Sequence, residues 1–356
     1  MNDLKTDLKV LCSRHFAPWL AQEDISLAFS TYQSGKLFLL GRKPECELAV
    51  FERTFNRCMG LWGDGETLWA STAFQLWRFD NVLAPSQTEQ GYDRLFVPRV
   101  GYTTGDLDIH DLAIGKNGEI LFISTLFSCL GTLSTRHSFK PLWRPPFVSK
   151  LAAEDRCHLN GLAMLDGEPA YVTATARTDT TDGWRNERRN GGCLVRLSDD
   201  AVIAEGLSMP HSPRWYQGRL WLLDSGNGYL GYVDTETGRF ERVTFCPGYA
   251  RGLALHKGYA IVGLSGPRDE PTFAGLALED ELAKRRATPQ AGLLVIDLGS
   301  GDIVQWVKLE GIVTELYDVI VLPKVTRAKL LGFKTDEIRY TVTAEGHGTI
   351  WRAMGY

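Results

Sequence analysis

Three of the seven histidines in this 356-residue chain fall into register with other side chains able to bind or move protons. His110, His211, Asn160 and Arg251 each stand at the start of a recurring short apolar segment, and Tyr317 holds the same place in a weaker copy. A further weak copy offers Cys58 or Met59 there, and Cys58 reads as packing rather than as a nucleophile. Two residues upstream lie His158, Asp108 and Glu315, a second layer beside the first. Imidazoles converging with a carboxylate match the ligand set of Zn, Mn, Fe or Cu. A divalent ion held by His110, His158, His211 and Glu315, with Asn160 as a further ligand or orienting group, would polarise a carbonyl or activate water. Arg251 would then hold a substrate carboxylate or phosphate, and Tyr317 would donate a proton. The same histidines could instead work without metal, with His110 or His211 as general base. A water-filled polar channel, with binding elsewhere on the surface, is the third reading.

These residues need elements that bring them to one place, and the repeat supplies them. Asn160-Gly-Leu-Ala-Met-Leu-Asp-Gly167 leads into Ala170-Tyr-Val-Thr, and Arg251-Gly-Leu-Ala-Leu-His-Lys-Gly258 leads into Tyr259-Ala-Ile-Val. His211–Gly218, His110–Gly118 and Cys58–Gly65 open equivalent units, each followed by an aromatic and β-branched strand. Ala28–Gly35 and Tyr317–Leu322 are weaker copies. Strand–turn–strand units about 40 to 60 residues apart require stacking in a ring, because one blade cannot bury both its faces. The chain is therefore expected to be all-β: one β-propeller over residues 1–356, with the first strand of each blade lining a central channel. Seven first strands predict seven blades, or six if the N-terminal strands complete the last blade.

Two insertions break the rhythm at comparable points of their blades. Residues 176–192 are polar around Trp184, and residues 265–290 contain a helical stretch over 276–286. A second helical segment is expected within 5–22, with Phe16, Trp19 and Leu20 on its apolar side. Long insertions in compact folds commonly act as lids or contact surfaces. A scaffold that presents both loops to a protein partner is thus the alternative to an enzyme acting on a small molecule or peptide. A net charge of -4 with scattered Lys and Arg gives no footprint for nucleic acid. No apolar run reaches membrane-spanning length, and the N-terminus lacks the pattern of a secretory signal. Seven cysteines with irregular spacing and no Cys-x-x-Cys pair read as reduced thiols, so a cytoplasmic protein is expected.

The stretch His158-Leu-Asn-Gly-Leu-Ala163 followed by Asp166-Gly167 and Tyr171-Val-Thr resembles a blade motif of gluconolactonase-like and senescence-marker-like propellers. That resemblance implies a central divalent metal reached by Asn160, with Glu315 as counterpart of a family glutamate. The family's metal-binding Asp has no match, and His110 and His211 depart from its pattern toward a metal softer than calcium. Over nearly its full length the chain is similar to a group of uncharacterised bacterial propeller proteins. The segments that carry this are Arg14–Leu20, Tyr32–Leu37, Phe51–Trp62 and Leu76–Phe79. It implies a propeller and no particular activity.

Overall fold

The computed structural model describes residues 8–266 and 274–351. They form six blades around a channel, each built on four antiparallel strands, and in blade 2 Ala328–Leu330 adds a fifth strand parallel to Arg94–Thr103. Blade 2 opens with Leu61–Gly63 and Thr67–Ser71, blade 3 with Ile109–Ile114 and Ile120–Ser124, and blade 4 with Leu159–Leu165 and Glu168–Ala174. Blades 5 and 6 open with Pro210–Tyr216 and Arg219–Asp224, then Tyr249–His256 and Tyr259–Ser265.

The count is six, not seven, for a topological reason. The two weak copies of the repeat belong to one blade. In blade 1, Val319–Pro323 is the innermost strand and pairs with Ile25–Thr31, which pairs in turn with Lys36–Arg42 and Leu48–Thr54. Ile25–Thr31 therefore looks like a first strand in sequence and acts as a second strand in space. The start of the described chain adds once more: Leu8–Cys12 pairs with Ile303–Gly311 as a fifth strand of blade 6.

The repeat's turn has a clear stereochemical basis. Asp166-Gly167, Gln217-Gly218 and Lys257-Gly258 all have two successive positive φ angles, the type I′ geometry that matches the right-handed twist of the flanking strands. The blades then stack through apolar clusters shared by neighbours. Leu162, Val172 and Val195 of blade 4 meet Leu121, Ile123 and Leu130 of blade 3, while Leu253 and Val262 of blade 6 meet Trp221 and Leu223 of blade 5.

Hydroxyls at the ends of second strands tie adjacent blades together. Ser71 Oγ donates to Ile109 O at 3.0 Å, Thr125 Oγ1 to Leu159 O at 2.5 Å, Ser225 Oγ to Ala250 O at 2.6 Å and Ser265 Oγ to Leu316 O at 3.2 Å. Ser30 Oγ donates likewise to Met59 O. Each bond satisfies a buried carbonyl where an innermost strand begins.

Helix Phe16–Glu23 buries Phe16, Trp19 and Leu20 against the seam between blades 6 and 1, and ends where Asp24 turns left-handed. The short helix Trp184–Glu187 lies in the 176–192 insertion, and Ala277–Arg285 lies in the 265–290 insertion. Of that second insertion, residues 267–273 lie outside the described residues, as do residues 5–7 of the N-terminal segment. Among the described residues no helix is long and apolar enough to cross a membrane. All seven cysteines are free thiols.

Candidate functional site

Local backbone geometry aims the layered residues at the channel. In blades 2 to 5, Arg57, Asp108, His158 and Met209 hold equivalent places just before the innermost strand, and all four have φ between 46° and 50°. Left-handed backbone costs a non-glycine residue on the order of 1 kcal/mol, so four repeats of it need compensation. Part of the compensation is visible: the reversed backbone turns the Asp108 and Met209 carbonyls toward the ring two residues on. His110 Nδ1 lies 3.0 Å from Asp108 O, and His211 Nδ1 lies 2.8 Å from Met209 O. The pairing of first with second strands then breaks register beside the same layer, between Leu159 and Gly161, between His211 and Arg214, and between Ala250 and Leu253. Such bulges re-aim side chains.

The result is a cluster at one mouth of the channel. The His110 ring meets His158 edge-to-face at 5.0 Å and Tyr317 at 5.3 Å. His211 meets Tyr249 at 5.9 Å. The Arg251 guanidinium sits between two phenol rings, its Cζ 5.2 Å from the centroids of both Tyr249 and Tyr317. Burial, reinforced by Arg251, holds His211 well below the ordinary imidazole range. Burial also lowers His110 to about 4, against the opposing pull of Asp108. Burial raises the Tyr317 phenol well above its usual range, so it stays protonated.

His158 is held differently. Its Nδ1 lies 2.9 Å from Asp155 Oδ2, which also accepts the Trp184 indole N–H at 2.8 Å, and the imidazole stacks on that indole at 4.1 Å. The carboxylate fixes Nδ1 as the protonated nitrogen and leaves Nε2 as the working atom. That Nε2 is buried and has no hydrogen-bond partner among the described residues; neither has His211 Nε2 nor the Tyr317 hydroxyl.

Asp155 and Trp184 are site residues that the repeat does not reveal, because both lie outside it. Trp184 is not an exposed contact residue. It is 2 % exposed and packs with Met209, Tyr249, Leu276 and Leu278, so the described parts of both insertions close over the same mouth.

The other expected residues divide. Asn160 is on the layer, but its amide turns away: Thr173 Oγ1 donates to its Oδ1 at 2.7 Å, and its Nδ2 donates to Thr175 Oγ1 at 3.4 Å. Glu315 is buried just before the innermost strand of blade 1. The imidazoles have the chemistry of metal ligands, each with Nδ1 committed to an oxygen. The convergence an ion needs is missing: among the described residues no three His, Cys, Asp or Glu side chains come close enough to share one. The expected set of His110, His158, His211, Asn160 and Glu315 therefore does not fit a common metal ion in this arrangement.

Deeper in the channel the layer after the imidazoles reads Asp318, Gly60, Asp111, Gly161, Ser212, Gly252 from blade 1 to blade 6. The polar members bond across to the next blade. Leu61 N donates to Asp318 Oδ2 at 2.9 Å, Leu162 N to Asp111 Oδ2 at 2.9 Å, and Gly252 N to Ser212 Oγ at 3.1 Å. A Cβ on Gly252 would stand 2.7 Å from Asp318 Cα, so this seam needs glycine. Arg214 crosses the channel, donating to Asp111 Oδ2 at 2.7 Å and Oδ1 at 3.1 Å, with Asp318 Oδ1 at 3.9 Å. Burial and the nearby Asp111 push Asp318 up to about 7, with Arg214 opposing. This plug separates the histidine mouth from an apolar cavity of about 410 Å³ at the other end, lined by Leu112, Leu162, Leu253, Val319 and the Arg214 side chain.

A family model matches residues 14–331. The chain belongs to DUF4915, a domain family of unknown function. A search of curated proteins returns no match. Among solved structures the chain is similar to a chain of the nidogen/laminin complex, at 12% identity and a TM-score of 0.52, over 84% of this chain and 99% of that one. It is also similar to a protein of unknown function from Bacteroides caccae, at 10% identity and a TM-score of 0.50, over 84% and 98%. At such identities the likeness is one of fold.

Proposed function

We propose that the histidine mouth is the catalytic site of an acid–base enzyme that works on a small molecule without a resident metal. One observation carries the reading: a part-buried Asp155–His158 pair in which the buried His158 Nε2 has no partner among the described residues. In use, Nε2 takes a proton from the substrate while Nδ1–H remains on Asp155, whose charge stabilises the imidazolium. Tyr317, kept protonated by burial, gives a proton to the oxygen on which charge develops. Arg251 holds the substrate's anionic group. A base and an acid without an activated nucleophile suit elimination or isomerisation, which need only proton transfers.

The test follows deuterium incorporation and product formation by proton NMR for a panel of small carboxylates and phosphates in D2O. Turnover should fall about 10²- to 10⁴-fold in His158→Ala, the usual contribution of a general base. Turnover unchanged in that variant overturns the reading. Protein purified without added metal should carry well below one Zn, Mn, Fe or Cu per chain by elemental analysis. A stoichiometric ion lost in a folded His110→Ala/His211→Ala variant would restore the metal-dependent alternative. The scaffold alternative draws less support, because the large apolar residues in the described parts of both insertions face inward.

A further inference from the structure

We infer that the mouth selects a small anion bearing hydroxyl groups, a hydroxycarboxylate or a hydroxyalkyl phosphate, in preference to an amine or an unsubstituted carboxylate. This rests on the catalytic reading above and deepens it.

Each imidazole has one nitrogen that donates and one that accepts when neutral. His110, His158 and His211 all turn Nδ1 to an oxygen, respectively Asp108 O, Asp155 Oδ2 and Met209 O. Their Nε2 atoms are thereby acceptors. Those of His158 and His211 are buried and have no partner among the described residues, and the Tyr317 hydroxyl is in the same position. The three groups come from blades 4, 5 and 1, so they ring the mouth rather than pair with one another. Buried acceptors are costly unless met by donors, so the ligand that belongs here brings donors to more than one side.

Ammonium and hydroxyl groups both donate, and charge decides between them. Burial disfavours protonation of His211 and His110, and Arg251 adds to it at both, while Asp108 pulls the other way at His110. At His211 the burial and the Arg251 charge that oppose an imidazolium oppose an ammonium as well. Hydroxyls donate without charge. The guanidinium held between Tyr249 and Tyr317 supplies the anionic end of the match. Carboxylate and phosphate share that chemistry.

Calorimetric titration of the whole chain at neutral pH would use glycerate and glycerol 3-phosphate, with propionate, propyl phosphate, β-alanine and glycerol as controls. Glycerate or glycerol 3-phosphate should bind about ten-fold or more tightly than its counterpart without hydroxyls, the scale of one good hydrogen bond to a buried acceptor. Which of the two binds identifies the anionic group. β-Alanine and glycerol should bind weakly. His211→Ala, with His211→Gln as a second variant should the first misfold, should bring the preference for hydroxyls toward unity. Arg251→Gln should weaken all anions together. Equal binding of propionate and glycerate, tighter binding of β-alanine, or no binding of either hydroxylated anion overturns the inference. If hydroxylated anions are selected while His158→Ala keeps full turnover, the catalytic reading falls and the ligand class stands.

Discussion

Three imidazoles at one mouth differ because their Nδ1 atoms face different oxygens. His110 and His211 rest on backbone carbonyls, whereas His158 rests on a carboxylate that is itself gripped by Trp184. Asp155→Asn should reduce turnover by about 10²-fold, since an amide neither fixes the tautomer nor stabilises the imidazolium. A matching change in the ring-nitrogen shifts of His158 by NMR would separate this from a loss of fold. Trp184→Phe keeps an aromatic surface against His158 but removes the N–H together with one ring of the indole, and it should act in the same direction by less. Legibility at this scale was uneven. The layer of His110, His211, Arg251 and Tyr317, with His158 beside it, follows from aligning the first strands. Asp155 and Trp184 do not, because a residue outside the repeat has no register to betray it. Asp111 and Asp318 escape for the opposite reason: they occupy the glycine place of the motif Asn160-Gly161-Leu162 and read there as ordinary variation.

The unit that makes the ring is an inner strand entered through a left-handed residue, followed by a second strand that ends in a hydroxyl. Both features were present in the repeat, yet only the apolar segments and the turns announce a strand by period and composition. The blade count shows the limit of that signal. Ile25–Thr31 has the composition of a first strand, and only its pairing with Val319–Pro323 reveals its place. The hydroxyl ties give a direct test. Ser71→Ala and Ser265→Ala each leave a buried carbonyl without its donor, and should each cost about 1 to 3 kcal/mol by urea unfolding. Ser34→Ala, a hydroxyl paired only within the blade 1 turn, should cost less.

Across the whole molecule, the mouth and the plug answer pH in opposite senses. His110 is lowered from 6.5 to about 4, so the folded state binds fewer protons than the unfolded state between those values. Its stabilisation is complete above pH 6.5 and is lost as pH falls toward 4, by roughly 3 kcal/mol at about 1.4 kcal/mol per pH unit. His211 adds to the same trend. Asp318 is raised from 3.8 to about 7, so its contribution is complete below pH 3.8 and is lost as pH rises toward 7. The two slopes partly cancel in the wild type. Asp318→Asn should therefore steepen the fall in melting temperature between pH 6.5 and 4, and His110→Asn should flatten it. A second consequence concerns the order in which the ring is made. A ribosome releases strands Ile25–Thr31, Lys36–Arg42 and Leu48–Thr54 long before Val319–Pro323, the strand that covers their inner edge. At bacterial or eukaryotic elongation rates the delay is on the order of 15 to 50 s. Throughout that time Ile25–Thr31, every residue of which is buried in the finished protein, offers a bare apolar edge to any other nascent chain. This protein should therefore depend on chaperone cover during synthesis more than on refolding afterwards.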